Sequence, residues 1–324
     1  MIDYSKRGIR ALSLLGPSGA LNTAFMDLAE SNPKVMVLTA DLLHFSGLER
    51  FKKVFPDRIY NLGIAEQNMI GVAAGFAKEG FIPFATTYAS FAASRCADQV
   101  RVNMSYMGLP VKLIGLTAGY GAGILGATHM SIEDVALMRA LPNITIISPA
   151  DCVEIVKAIT AAAYTSDPTY IRLTGPMNMR MVYKEDYDFQ IGKPVMMQEG
   201  EDVAFIAAGS MVSQSMQVAK LLEAESISCS VINMHTIKPL DTDTVVMANN
   251  KHKLIVVAEE HNIYGGLYGA VCEVLCQMAE RKPVIALGIN DFFAHAGSYA
   301  YQMGESGLTV EMMKNKITDR LMEV

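Results

Sequence analysis

The sequence predicts an α/β protein of two consecutive domains, each built on a mostly parallel sheet flanked by helices. Three observations carry that prediction. Short β-rich runs alternate with longer helical patterns; the alternation lapses near residue 175 and then restarts; and 324 residues, 51% hydrophobic and 19% charged, suffice for two ordinary cores.

In chain order, Val35–Thr39, Phe81–Thr87, Val111–Leu116, Thr145–Ile147 and Tyr170–Leu173 read as strands, and the stretches 64–78, 89–107 and 151–165 read as helices. Such βα repetition demands a sheet covered on both faces. Beyond Arg172 a Met- and Tyr-rich stretch carries Gly175, Pro176, Gly192 and Pro194. It places the boundary within 175–200: a first domain at 1–180, a linker at 181–194 and a second domain at 195–324. Val203–Ala208, Cys229–Asn233, Leu254–Ala258 and Val284–Leu287 then resume the strand pattern.

Charge and cysteine usage narrow the function classes. Lys and Arg number 27 against 33 Asp and Glu, a net charge of −6 with no dense basic run, which argues against a nucleic-acid partner. Five scattered cysteines, of which only Cys272 and Cys276 are close, point to reduced thiols and a cytoplasmic protein. Lys6, Arg7 and Arg10 ahead of Ala11–Leu15 imitate a signal peptide, but Gly16 and Pro17 break the apolar run. Residues 113–128 are uncharged, yet they are too short to span a bilayer and hold five glycines, which suits backbone approaching a ligand. No membrane segment is expected, and small molecules and other proteins remain as partners.

Ligands of open α/β sheets gather at the carboxyl ends of the strands, so polar residues there are the first candidates. Asp41 follows the first strand, Tyr88 and Phe91 follow the second, and His129 closes the loop after Val111–Leu116. Glu66 opens a helix whose Gly71, Ala74, Gly75 and Ala77 permit close packing. Each has an ordinary alternative. Glu66 alone would complement a helix dipole, His129 would satisfy loop carbonyls, and aromatics three apart would share a core face. The catalytic alternatives are a buried carboxyl sharing a proton with a heterocycle and a histidine moving a proton on a bound substrate. Gly121 to Gly126 spells G-x-G-x-x-G, but Ser131-x-x-Asp134 has the form of a capping box that would start the helix only at Ser131. The acid expected further on is met only at Asp151, so a dinucleotide site is rejected.

Taken together, Gly63-Ile64-Ala65-Glu66-Gln67-Asn68, Thr87-Tyr88-Ala89-Ser90-Phe91, Ala97-Asp98-Gln99-Val100-Arg101 and Gly126-Ala127-Thr128-His129 through Ala140-Leu141-Pro142-Asn143 resemble the C-terminal half of transketolase. Thr236-Ile237-Lys238-Pro239-Leu240-Asp241 and Glu259-Glu260-His261-Asn262-Ile263-Tyr264-Gly265-Gly266 extend the likeness into that family's C-terminal domain. The resemblance implies a pyrimidine-binding domain followed by a C-terminal domain, as in split transketolases made of two polypeptides.

By that resemblance Glu66 hydrogen-bonds N1′ of the thiamin diphosphate aminopyrimidine, favouring the imino form that deprotonates the thiazolium C2. Tyr88 and Phe91 match aromatic positions around the pyrimidine, Asp41 an acid at the pocket edge, and His129 a histidine facing the substrate oxygen. The family's Gly-Asp-Gly motif with its downstream Asn, which holds Mg²⁺ and the diphosphate, is absent from this sequence. An N-terminal transketolase subunit is therefore the implied partner, in an assembly of two copies of each chain acting on small sugars or aldehydes. The β subunit of a 2-oxo acid dehydrogenase shares the domain plan, and a non-catalytic scaffold is a further alternative.

The likeness breaks at substrate-reading positions. Leu125 stands where transketolases have an Asp that reads a sugar hydroxyl, Thr117 where they have a substrate-facing histidine, and Ser18 where a phosphate-binding Arg is expected. Arg172 matches a phosphate-tail arginine. The implied activity is ketol transfer between a ketose and an aldehyde, with a preference unlike that for the common pentose phosphates.

Overall fold

The computed structural model describes residues 2–323. The first domain runs through α1 (Lys6–Ser13), α2 (Gly16–Ser31), β1 (Val35–Thr39), α3 (Glu49–Val54), β2 (Ile59–Asn61), α4 (Glu66–Lys78) and β3 (Ile82–Tyr88). A helical stretch follows, in which the three-residue α5 (Ala97–Gln99) lies between wider turns at Phe91–Arg95 and Val100–Tyr106. Then come β4 (Lys112–Ala118), α6 (Asp134–Arg139), β5 (Thr145–Ile147), α7 (Cys152–Ala163) and β6 (Thr169–Thr174).

The second domain holds β7 (Val195–Gln198), β8 (Val203–Ala207), α8 (Met211–Glu223), β9 (Cys229–Asn233) and β10 (Thr236–Lys238). It continues with α9 (Thr242–Lys251), β11 (Leu254–Asn262), α10 (Leu267–Leu275), β12 (Val284–Ile289), α11 (Tyr299–Glu305) and α12 (Val310–Met322).

Two sheets result, a seven-stranded one ordered β10-β5-β6-β4-β3-β1-β2 and a five-stranded one ordered β12-β11-β8-β9-β7. Pairing is parallel except at β10 and β7, both edge strands. Every residue of β1, β8 and β9 is buried, which is why these strands read as apolar runs rather than alternating ones. Hydrophobic layers cover both faces and run across the domain junction: one joins Phe25 and Ile159 to Val203 and Val256, the other joins Ile70 and Tyr170 to Ile232 and Val271.

β10 departs from the sequence-based partition, because residues 236–238 leave the second domain to pair antiparallel with β5 and complete the first sheet. The stretch 175–194 has no helix or strand, yet it is fastened to the start of α7. The Tyr183 and Tyr187 rings stack at 3.9 Å, and their hydroxyls donate to Glu154 Oε1 at 2.9 and 2.7 Å. Asp151 Oδ2 accepts the Val182 and Tyr183 amides at 2.8 and 2.9 Å.

Two local expectations are corrected. The helix over 89–107 is partly π-wound: Cys96 N bonds Phe91 O and Met107 N bonds Val102 O, each five residues back, a form that recurs at functional sites. Ser131 does not cap a helix. Its backbone exchanges hydrogen bonds with Gly119, its hydroxyl is buried without a partner among the described residues, and α6 begins only at Asp134. Tyr170 and Arg172 claim the Asp134 carboxylate, so the capping pattern loses to a tertiary ion pair.

Candidate active site

The carboxyl ends of β1, β3 and β4 bring the candidate residues to one edge of the first sheet. Gly63, at φ +73°, makes the turn that leads from β2 into α4, a conformation with little cost only for glycine. Asn61 steers this turn. Its Oδ1 accepts the amides of Asp41 and Gly63 at 2.9 and 3.1 Å, and its Nδ2 donates to Asp41 Oδ1 at 3.1 Å. Asp41 is thus held by Asn61, in a left-handed conformation (φ 60°) just beyond β1.

Glu66 is 3% exposed at the head of α4. Arg95 Nη1 donates to its Oε1 at 2.5 Å, and the guanidinium carbon lies 3.9 Å from the centre of the Phe91 ring. The second carboxyl oxygen takes no hydrogen bond among the described residues. Phe91 in turn lies 5.9 Å from Tyr88 and 5.3 Å from the His129 ring, and Tyr88 lies 5.7 Å from His129. The edge-on geometry of both histidine contacts fits the aromatic quadrupole. Ser90 Oγ donates to His129 O at 3.3 Å, and Thr128 Oγ1 lies 2.9 Å from His129 Nδ1.

The structure therefore joins Glu66, Tyr88, Phe91 and His129 through Arg95, a residue the sequence reading passed over. Its one local signal was the four-residue spacing from Phe91, which sets both on one helical face. Burial raises the Tyr88 hydroxyl pKa. It also pushes the neighbouring Cys96 thiol up to about 12, with the Glu66 carboxylate adding to the effect and Arg95 opposing it.

The positions expected to read substrate take different local settings. Thr117 occupies a left-handed conformation (φ 52°) at a register break between β4 and β6, rare for a β-branched residue, and its hydroxyl donates to Leu116 O at 2.8 Å. Leu125 ends a short 3₁₀ turn and is 48% exposed. Ser18 Oγ donates to Phe45 O at 3.0 Å, bracing the loop after β1.

Arg172, expected to meet a phosphate tail, is engaged within the chain. The residue is 2% exposed, its Nε donates to Asp134 Oδ2 at 2.8 Å, and its Nη2 donates to Glu260 O at 2.7 Å. Both domains thus occupy the guanidinium. It fastens their junction, and little of it is left exposed.

The loop between β4 and α6 leans on the second domain. Glu260 is 1% exposed, and its Oε1 accepts the Tyr120 amide at 2.7 Å. Its Oε2 accepts the hydroxyls of Ser210 and, at 2.7 Å, Tyr299. Burial raises the Glu260 pKa against these hydrogen bonds. Gln302 Nε2 donates to Gly123 O at 3.1 Å, and Tyr120 OH lies 2.6 Å from Ser306 Oγ.

Fold and site together define a two-domain α/β protein with a carboxylate-and-aromatic site at the carboxyl edge of its larger sheet. Residues 17–178 match the model of the transketolase pyrimidine-binding domain, and residues 192–313 match that of the transketolase C-terminal domain. The chain is 35% identical over 298 residues to the 6-deoxy-6-sulfo-D-fructose transketolase subunit SqwH of Clostridium sp. (strain MSTE9), covering 91% of this chain and 92% of that protein. It is 34% identical to an apulose-4-phosphate transketolase subunit of Actinobacillus succinogenes, over 85% of this chain and 87% of that one. Among solved structures, a split gene transketolase in an inactive β4 tetramer superposes with a TM-score of 0.85 at 37% identity, covering 94% and 97% of the two chains. The chain belongs to the transketolase family.

Proposed function

We propose that this chain is the C-terminal subunit of a two-chain, thiamin diphosphate-dependent transketolase that moves a ketol unit from a ketose to an aldehyde. The observation that carries the reading is Glu66: a buried carboxyl with one oxygen held by Arg95 and the other open, beside Tyr88, Phe91 and His129. That arrangement fits an aminopyrimidine, a flat heterocycle that needs apolar walls and one carboxyl at a ring nitrogen. When bound, thiamin diphosphate supplies a carbon nucleophile and an electron sink for cleaving the bond next to a carbonyl.

The chain's own residues do the rest. Glu66 holds a proton at the pyrimidine N1′, Phe91 and Tyr88 exclude water from that side, and His129 moves a proton at the substrate oxygen beside the reacting carbon. Asp41 marks the edge of the pocket. The N-terminal partner subunit holds the diphosphate and Mg²⁺, with two copies of each chain completing two sites in the cytoplasm. The similar SqwH and apulose-4-phosphate transketolase chains match this one over most of their length, which supports the split organisation.

Their names carry sugars other than the common pentose phosphates. The same direction follows here from Leu125, Thr117 and Ser18, none of which brings a charge, and from Arg172, whose charge is spent on Asp134. Co-purified with its partner, the chain is expected to transfer a ketol unit only when both chains, thiamin diphosphate and Mg²⁺ are present. A complex that instead oxidatively decarboxylates a 2-oxo acid, or that transfers nothing, overturns the reading.

A further inference from the structure

We propose that the cleft between the two domains is a second small-molecule site, built for an organic anion carried on an apolar body, and that its occupant steadies the loop bearing Leu125 and His129. The cleft encloses about 550 Å³, within the range of ordinary ligand pockets, and none of the Glu66, Tyr88, Phe91 or His129 side chains lines it. Met179, Met303 and Leu308, at 7%, 3% and 1% exposure, give it an apolar floor.

Arg180 is the single charged side chain on the lining among the described residues, and its exposed guanidinium has no hydrogen-bond or ion-pair partner among them. Among the described residues no carboxylate lines the cavity, and Glu260 next to it accepts the hydroxyls of the lining Ser210 and Tyr299. Ser210, which also lines it, stands at the start of the thirteen-residue helix α8, whose positive end favours the same sign of ligand, whereas α12 is capped by its own Thr309 and carries Glu311 in its first turn. An anion meets attraction from Arg180 and from the start of α8, and no described lining residue carries a negative charge.

α11 connects this cavity to the loop. Tyr299, Ala300 and Met303 face the cavity, while Gln302 donates to Gly123 O and the Tyr299 hydroxyl donates to Glu260, which accepts the Tyr120 amide. A ligand seated on α11 therefore orders the groups that fix residues 120–123. The coupling needs no movement of the catalytic cluster.

The test uses the full chain with phenyl phosphate and benzoate as anionic probes and benzyl alcohol as the neutral control, with binding followed by calorimetry and loop order by amide hydrogen exchange. At least one anion is expected to bind saturably, with the alcohol about tenfold weaker or more. Arg180→Gln should weaken the anion by about tenfold while leaving the alcohol unchanged, and Ala300→Trp, at an exposed helix position, should block both. Exchange across 119–126 should slow with the bound anion in the unsubstituted chain and not in Arg180→Gln. The site is refuted if neither anion saturates or if binding survives both substitutions. Saturable binding with unchanged exchange refutes the coupling.

Discussion

Arg95 places Nη1 2.5 Å from Glu66 Oε1 across 29 residues of sequence, while its guanidinium carbon lies over Phe91, 3.9 Å from the ring centre. One planar cation thus orients both the carboxyl and the aromatic wall. Lysine is a poor substitute, because a compact ammonium cannot stack and pair at once. Arg95→Lys is expected to keep stability within about 1 kcal/mol and to raise the KM for thiamin diphosphate in the assembled complex, whereas Arg95→Met should cost about 1.5–3 kcal/mol in urea unfolding. Equal behaviour of the two variants would show that only bulk matters at this position.

Glu66→Gln preserves shape and removes the ability to share a proton. Exchange of the cofactor C2 hydrogen, followed by NMR in the two-chain complex, should slow by about a hundredfold or more with the fold intact. His129→Ala should leave that exchange alone and lower ketose turnover. The opposite pattern would exchange the two roles.

The Arg172–Asp134 pair is buried, at 2% and 0% exposure, so removing one partner strands the other. Arg172→Met should destabilise the chain by about 3–5 kcal/mol, and replacing both residues with apolar ones of similar volume should recover much of the loss. Denaturant unfolding checks the stability. Discrimination between phosphorylated and unphosphorylated donors should not respond to Arg172→Lys, since the guanidinium is committed to Asp134 and the Glu260 carbonyl.

Asp151 supplies a pH signature. Burial pushes its carboxyl from 3.8 up to about 6, against the amides of Glu154, Tyr183 and Val182 and with the Glu154 carboxylate adding to the rise. A carboxyl raised in the folded state contributes stability that is complete below its unfolded value and is lost as pH climbs through its folded one. Stability attributable to Asp151 should therefore fall between about pH 4 and about pH 6. Asp151→Asn, which keeps one acceptor for the helix start, should flatten the profile over that window in unfolding titrations.

Leu125 is half exposed at a turn clamped by Gln302 through Gly123, so a side chain placed there projects from a fixed base. Leu125→Asp should raise kcat/KM for donors carrying the hydroxyl that ordinary transketolases read, by about tenfold, with less effect on the matching deoxy donor. The comparison of phosphorylated, unphosphorylated, deoxy and epimeric ketoses decides it. Strong selectivity of the unsubstituted complex for xylulose 5-phosphate would contradict the inference drawn from Leu125 and Thr117.

The sequence by itself determined the two α/β sheets, the central buried strands and the placing of Glu66 at the head of a helix, because these rest on local periodicity and turn chemistry that neighbouring residues settle among themselves. It also placed Asp41 and Tyr88 at strand ends and His129 in the loop that follows a strand. Only the tertiary structure decided whom the charged residues meet. Glu66 finds Arg95 29 positions away, and Arg172 finds Asp134 38 positions back and the Glu260 carbonyl 88 positions ahead. A buried charge must be compensated by whatever the folded chain brings beside it, and burial is a property of the closed sheet rather than of any window of sequence. For the same reason the capping pattern at Ser131 gave way to the Arg172 ion pair, and residues 236–238 crossed the domain boundary to pair with β5.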